Sequence, residues 1–386
     1  MQLKRSFAIL FATLAVLGMA AGCSSGGNAS PSGESSASGL VTVRVGTQPY
    51  YDYQFFTVAH DLGIDRQFGL NIVTISEPGQ TAYPQLAAGS IDIAASCESC
   101  VLPALDNFSQ LRDFLITELF RGFVLIGRAK NGVPEYKTYN DFLKADSGNQ
   151  AMAASDFVAT LKGRTFAIND AADGSLLGAL LANAGLTPSD VKVISFPDEA
   201  KAALAFIAGS GDYYFGSLPQ EVRMITSPDL KDQFVEAGPA SLFPLNYANF
   251  AATASWLSSH QDVATRLVAV WFRVTQYLDQ KPGLVLGIIA KELESQTGGL
   301  LTNSQTQIAL TKFMYFAPFT SAYAAYYNHG SPTWEGIALK ELYQQAAEQG
   351  QIPAKTNYWT YEVGSTYFGL LMKRPDLIKK IEAPIP

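Results

Sequence analysis

Cys97 and Cys100, with two residues between them in ASCESC, are the most reactive side chains in the body of the chain, and the three histidines, His60, His260 and His329, stand far from one another. The cysteine pair allows a disulfide, two free thiols beside a ligand, or half of a metal site. Zinc needs further ligands, and no histidine is paired at metal spacing, so we expect no metal and leave disulfide and free thiols open. No Ser/His/Asp spacing, G-x-S-x-G or H-E-x-x-H suggests a reaction. The expectation is therefore no catalytic residue and no cofactor, with the polar and aromatic residues available to hold a ligand.

The richest such stretch is QPYYDY, where Tyr50, Tyr51 and Tyr53 offer faces to a planar guest and Asp52 an acceptor for its donors. Any of these tyrosines could equally pack beneath the loop. Gln80 and Thr81 follow Gly79, where small residues let the backbone approach a ligand. Ser96, Cys97, Glu98 and Ser99 precede an apolar stretch; a capping serine there would turn amides toward an oxygen or simply cap, while Glu98 would oppose a bare anion. Asn169, Asp170, Asp173, Gly174 and Ser175 occupy a matching turn later on. Tyr214 ends a further strand, facing away from Tyr213 and Phe215, and Asn246 with Tyr247 lies where the chain would return. Arg121 could clamp a carboxylate, sulfonate or phosphate, or pair with Glu118. The tyrosines and the scarcity of arginines favour a planar heteroaromatic or neutral ligand over nitrate or sulfonate.

These residues need elements to position them. Val41 to Val45 alternates as a strand, Phe55 to Leu62 reads as a helix, Asn71 to Ile75 as a strand, Tyr83 to Ala88 as a short helix ended by Gly89, and Ile91 to Ala94 as a strand. Thr117 to Arg128 is β-rich and would close this first lobe. After a polar segment the plan repeats: strand Thr165 to Ile168, helix Ser175 to Ala184, strand Val191 to Ser195, helix Glu199 to Ala208 with Ala202, Leu204, Ala205 and Ile207 as its face, strand Asp212 to Phe215, then a helix from about Pro219. Strands alternating with helices predict α/β lobes with parallel sheets. Beyond Leu242 the chain reads as mainly helical; Val263, Leu267, Val270, Trp271, Val274 and Leu278 share one face, and Ser259 with Asp262 resembles a capping box. Such a tail must pack on a lobe already built.

The chain has 386 residues, 48% of them apolar, and a net charge of −7. That length suggests two domains, and the acidic balance gives nucleic acid no basic surface. At the start, Lys4 and Arg5, an apolar run from Phe7 to Leu17 and small residues up to Gly22 form a secretory signal too short to span a bilayer. AAGC ending at Cys23 resembles the lipobox of bacterial lipoproteins, which implies cleavage after residue 22 and a lipid on the Cys23 sulfur. Residues 23–39, rich in Ser and Gly, read as a flexible tether.

Four stretches then resemble one family in order and spacing: VRVGTQPYYDYQFFTVAHDLGIDRQFGLNIVTI, QLAAGSIDIAAS, LKGRTFAINDAADGSLLGALLANAGLTPSDVKVI and PLNYANFAATASWLSSHQDVATRLVAVWFR. They are similar to the NMT1/THI5-like (SsuA/TauA-type) solute-binding proteins of ABC importers. The segment from about Tyr136 to Ala159 is longer than usual there, and the cysteine pair is not typical of the sulfonate or nitrate branches. The resemblance implies a type II periplasmic-binding-protein fold of two α/β lobes, the first from 40–128 plus 249–386 and the second from 129–248, joined by crossovers near Arg128 to Val133 and Phe243 to Asn249. It favours Gly174 and Ser175 as ligand contacts. It implies a monomeric, lipid-anchored, extracytoplasmic receptor that binds a small molecule, such as a thiamine precursor, a flavin or a taurine-like sulfonate, and delivers it to an ABC permease. A pyrimidine-synthase-like enzyme of the same fold and a ligand sensor are the alternatives.

Overall fold

Alternating valines build the first strand: Val43 and Val45 enter the core while Arg44 turns outward to pair with Asp92 at 2.7 Å. The computed structural model describes residues 39–77, 81–297, 301–348, 350 and 352–386, all within the unit Ser35–Pro386. The leader, Cys23, most of the tether and Gln80 lie outside the described residues. The strands are β1 (Val41–Thr47), β2 (Leu70–Ser76), β3 (Ile93–Cys97), β4 (Leu111–Phe120), β5 (Leu125–Lys130), β6 (Val133–Pro134), β7 (Thr165–Ile168), β8 (Lys192–Ser195), β9 (Tyr213–Tyr214), β10 (Phe234–Gly238), β11 (Asn246–Thr253) and β12 (Met314–Tyr315).

They form two sheets on one plan. In the first, β1 lies between parallel β2 and β3; in the second, β7 lies between parallel β8 and β9. Helices Phe55–Asp61 and Ala82–Ala88 connect the first trio, Asp170–Ala182 and Glu199–Ile207 the second. The first sheet runs β12-β4-β11-β3-β1-β2 and the second β10-β5-β9-β7-β8, with β6 beside β5. The fourth strand of each comes from chain arriving from the other sheet: β11 lies antiparallel to β3, and β5 antiparallel to β9. Only Arg121 to Val124 separate β4 from β5, and Pro239 to Leu245 lead from β10 back to β11.

The first crossing thus lies earlier than expected. Leu125 to Arg128, read as closing the first lobe, belongs to the second sheet, where the Arg128 guanidinium donates to the carbonyls of Phe206 (2.7 Å) and Gly211 (2.8 Å) and lies over the Phe206 ring. At the return, Asn246 to Asn249 is already strand. β11 was hidden in sequence because residues 246–252 are buried on both faces, leaving no alternation to read. The helix Glu199–Ile207 buries Ala202, Ala203 and Phe206 and leaves Leu204 52% exposed, so its inner face is rotated from the one expected. The large Phe206 ring, stacked on Tyr214, sets that rotation. Ser259 ends the helix Ala254–Ser259 with its hydroxyl bonded back to Ser255 and Trp256; Asp262 pairs with Arg266 and Arg374, so no capping box forms.

The tail packs mainly on the first sheet. Its helix Gln261–Gln280 stacks Trp271 on Phe55 with ring centroids 4.6 Å apart, edge-on to Phe56 and tilted against Phe250. Buried Arg273 donates to the carbonyls of Ile381 (3.0 Å), Ala383 and Pro384, fastening the C-terminal segment. The tail also reaches the second lobe, where Gln305 Nε2 donates to Thr226 and Ser227 and Lys312 pairs with Glu236. Among the described residues, no helix is long and apolar enough to cross a membrane.

Candidate ligand-binding cleft

Loops at the C-terminal ends of parallel strands carry backbone groups not used by the sheet, which makes the crevice beside them the natural ligand site. Here both sheets turn those ends toward one cavity of about 230 Å³. From β1 come Gln48, Tyr50, Asp52 and Tyr53; from β3, Cys97, Ser99 and Cys100. β7 supplies Asn169, Asp173 and Leu176, β8 Pro197 and Glu199, and β9 Gly216. The crossings complete the wall with Phe120 and Phe123 on one side and Asn246 and Ala248 on the other.

The first-lobe wall is held from behind. Gln48 Nε2 donates to the Ala95 carbonyl at 3.3 Å, and the Tyr53 hydroxyl to the Ser96 carbonyl at 2.5 Å. Tyr50 meets Tyr53 edge-on at 5.9 Å, and Phe120 meets Phe123 likewise at 4.8 Å, so two aromatic pairs border the space. Asp52 and Glu118 are both buried and lie close enough to feel each other's charge. Burial raises the Asp52 carboxyl to about 6, and burial with the nearby Asp52 charge lifts Glu118 well above the usual carboxylate range. Cys97 and Cys100 are joined as a disulfide at the start of the short helix Glu98–Val101, and Asn246 Oδ1 accepts from the Ser99 amide at 3.2 Å, tying β11 to this loop.

In the second-lobe wall Asn169 Nδ2 reaches Glu199 Oε1 at 3.5 Å. Burial raises Glu199, and the Tyr50 hydroxyl of the opposite lobe is raised by burial and by the charges of Glu199 and Asp173. Gly216 sits between the two acids. At φ 142° it occupies a conformation that strains other residues, and a Cβ there would stand 3.2 Å from both Asp173 Oδ2 and Glu199 Cγ. The lining therefore combines three carboxyl side chains, several amides and aromatic faces, and includes no Lys, Arg or His among the described residues. Among those residues no group of three or more His, Cys, Asp or Glu could hold a metal ion. The arrangement is suited to holding a donor-rich or cationic molecule.

The sequence pattern for the NMT1-like family matches residues 36–284, a span that runs from before β1 into the tail. This chain belongs to the NMT1-like family. Among proteins with curated descriptions, none matches it by sequence. In three dimensions it is similar to the alkanesulfonate-binding protein SsuA from Xanthomonas axonopodis pv. citri bound to MOPS, with a TM-score of 0.60 at 15% identity over 83% of this chain and 97% of that one. The periplasmic nitrate-binding protein NrtA from Synechocystis PCC 6803 superposes with a TM-score of 0.56 at 14% identity, covering 89% and 90%. The Candida albicans CA3427 gene product, described as having the generic periplasmic binding protein fold, gives 0.55 at 11%, covering 88% and 95%. This member of the NMT1-like family has the two-lobed α/β fold of periplasmic binding proteins.

Within that fold, Gln48, Tyr50, Asp52, Tyr53, Cys97, Ser99, Cys100, Asn169, Asp173 and Asn246 of the residues singled out from sequence line the cavity. Several others are placed elsewhere. Tyr51 is wholly buried in the first-lobe core. Ser96 bonds to the hydroxyls of Tyr83 and Tyr361, and Glu98 accepts from the Tyr247 amide at 3.0 Å, so both serve the interior. Thr81 is exposed and donates to Glu77. Gly174 and Ser175 lie in the helix after Asp173, outside the lining. Tyr214 accepts from the Ser217 amide and donates to the Glu199 carbonyl at 3.2 Å, supporting the wall from behind, and Tyr247 donates to the Thr333 carbonyl. Arg121 is exposed and does not line the cavity. Sequence reasoning passed over Phe120, Phe123, Leu176, Pro197, Glu199, Gly216 and Ala248. The strand-end rule, applied to β8 as to its neighbours, would have found Pro197 and Glu199; the two phenylalanines had no signal, because the crossing was misplaced.

Proposed function

We propose that this chain is an extracytoplasmic solute-binding lipoprotein, exported by residues 1–22 and held by a lipid on Cys23, that captures one small molecule between its lobes and presents it to an ABC importer. The observation that carries this reading is the cavity of about 230 Å³ enclosed by strand ends of both lobes. Such a volume lies just below the roughly 300–1,000 Å³ of ordinary ligand sites, which suits a compact solute. The basic, apolar and small residues ending at Cys23 support export and anchoring. The similar proteins named above bind an alkanesulfonate and nitrate; the role of solute capture carries over, while the acidic lining here argues for a different guest. Each lobe would contribute part of the binding energy, so closure and capture are coupled. The receptor acts as a monomer and needs no metal or cofactor.

The test is thermal unfolding and titration calorimetry of the mature protein with aminopyrimidines, flavins, aromatic acids, taurine and alkanesulfonates. One class should bind with one molecule per chain and raise the melting temperature as mass action requires. Absence of a shift with every class, together with turnover of one of them, would replace the receptor by an enzyme.

A further inference from the structure

We infer that the solute accepted by this cleft is a small organic cation, an ammonium or amidinium group on a compact apolar body, seated among Asp52, Asp173 and Glu199. The inference rests on the receptor reading and deepens it by naming the ligand's charge.

Three observations converge on it. First, the acids come from opposite walls: Asp52 from the first lobe, Asp173 and Glu199 from the second, with no basic side chain among the described lining residues. Closing the lobes around nothing, or around an anion, brings like charges together at low dielectric; a cation between them turns that repulsion into attraction. Second, Asp173 and Glu199 stand in the first turns of helices Asp170–Ala182 and Glu199–Ile207. A receptor for anions leaves such helix starts to its ligand, whose negative charge they favour. Here the protein's own carboxylates fill those positions and present the opposite charge to the cavity. Gly216 lets the two acids approach, since a Cβ would sit 3.2 Å from each. Third, the rest of the lining suits the remainder of such a molecule. The Tyr50/Tyr53 and Phe120/Phe123 pairs add aromatic surface to the site of a cationic head, and Leu176, Pro197 and Ala248 offer apolar contact to its body.

Calorimetric titration of the mature protein with two matched series separates charge from shape: benzamidine, benzamide and benzoate, then choline, its neutral carbon isostere 3,3-dimethylbutan-1-ol and methanesulfonate. At least one cation should bind, at least about tenfold tighter than its neutral isostere, and Glu199→Gln and Asp52→Asn should each remove most of that difference, a charged hydrogen bond being worth about one to two orders of magnitude. The neutral isostere reports on the fold of the variants, because its weak binding should be unchanged. Neutral compounds binding as well as cations, or no heat from either cation, overturns the inference. If benzoate or methanesulfonate then binds, the receptor reading survives alone; if no compound of the six or of the earlier panel binds, both fall.

Discussion

At the scale of single residues the cleft depends on close approaches. Gly216→Ala would push a methyl against Asp173 and Glu199 while straining a backbone at φ 142°; we expect a loss of about 1–3 kcal/mol of stability and weaker solute binding, checked by denaturant unfolding and calorimetry. Unchanged values in both would mean that the two acids move apart freely. The disulfide makes a different prediction. Bridging Cys97 to Cys100 closes a very short loop, so by loop entropy its removal in a Cys97→Ser/Cys100→Ser variant should cost about 2 kcal/mol or less, yet both cysteines line the cavity. The melting temperature should fall by a few degrees at most while the solute dissociation constant rises; a large drop in melting temperature with intact binding would make the bridge purely structural.

At the scale of elements, the tail is what completes the first lobe. Trp271, 1% exposed, lies on Phe55 and beside Phe56 and Phe250, joining the helix Gln261–Gln280 to the helix after β1 and to β11. Its replacement by Ala should destabilise the protein by about 3–5 kcal/mol, as for other large buried aromatics, measured as a shift of the urea midpoint; less than about 1 kcal/mol would mean the tail docks loosely. Because the helix after β1 also carries the Tyr50 to Tyr53 loop at its start, loosening this contact should weaken solute binding as well.

The whole molecule carries an uncommon number of buried acids. Burial raises Asp52 to about 6 and Asp113 to about 7, and raises Glu98, Glu118, Glu221 and Glu335 further; Asp113 accepts from the Val363 amide. A carboxyl whose folded value lies above its unfolded one holds protons more tightly when folded, so its contribution is complete below the unfolded value and is lost as pH rises through the folded one. The lowered groups, Asp141, Asp190 and Asp376, the last at about 2 beside Arg374, act oppositely but only at more acidic pH. The melting temperature should therefore be higher near about pH 5 than near about pH 8; a flat or rising profile over that range would mean these acids are hydrated in solution.

Local pattern was enough for much of this protein. The alternation of Val41 to Val45, the Gly89 helix stop and the repeat of strand and helix after Thr165 exposed both sheets' parallel trios, because each depends on neighbours a few residues apart. The QPYYDY loop, four of whose residues line the cavity, stood out for the same reason. What pairing across the fold decided was invisible along the chain: β11 is buried on both faces and shows no period, β5 joins the second sheet because its partner is β9, and Tyr51 and Tyr214 turn into cores that distant segments build. Residue type and short-range spacing determine which elements form and which loops can bear a ligand. Which side chains share one cavity, and that its opposed walls are both acidic, follows only from packing two lobes together, since Asp52 and Glu199 line one space only when those lobes meet.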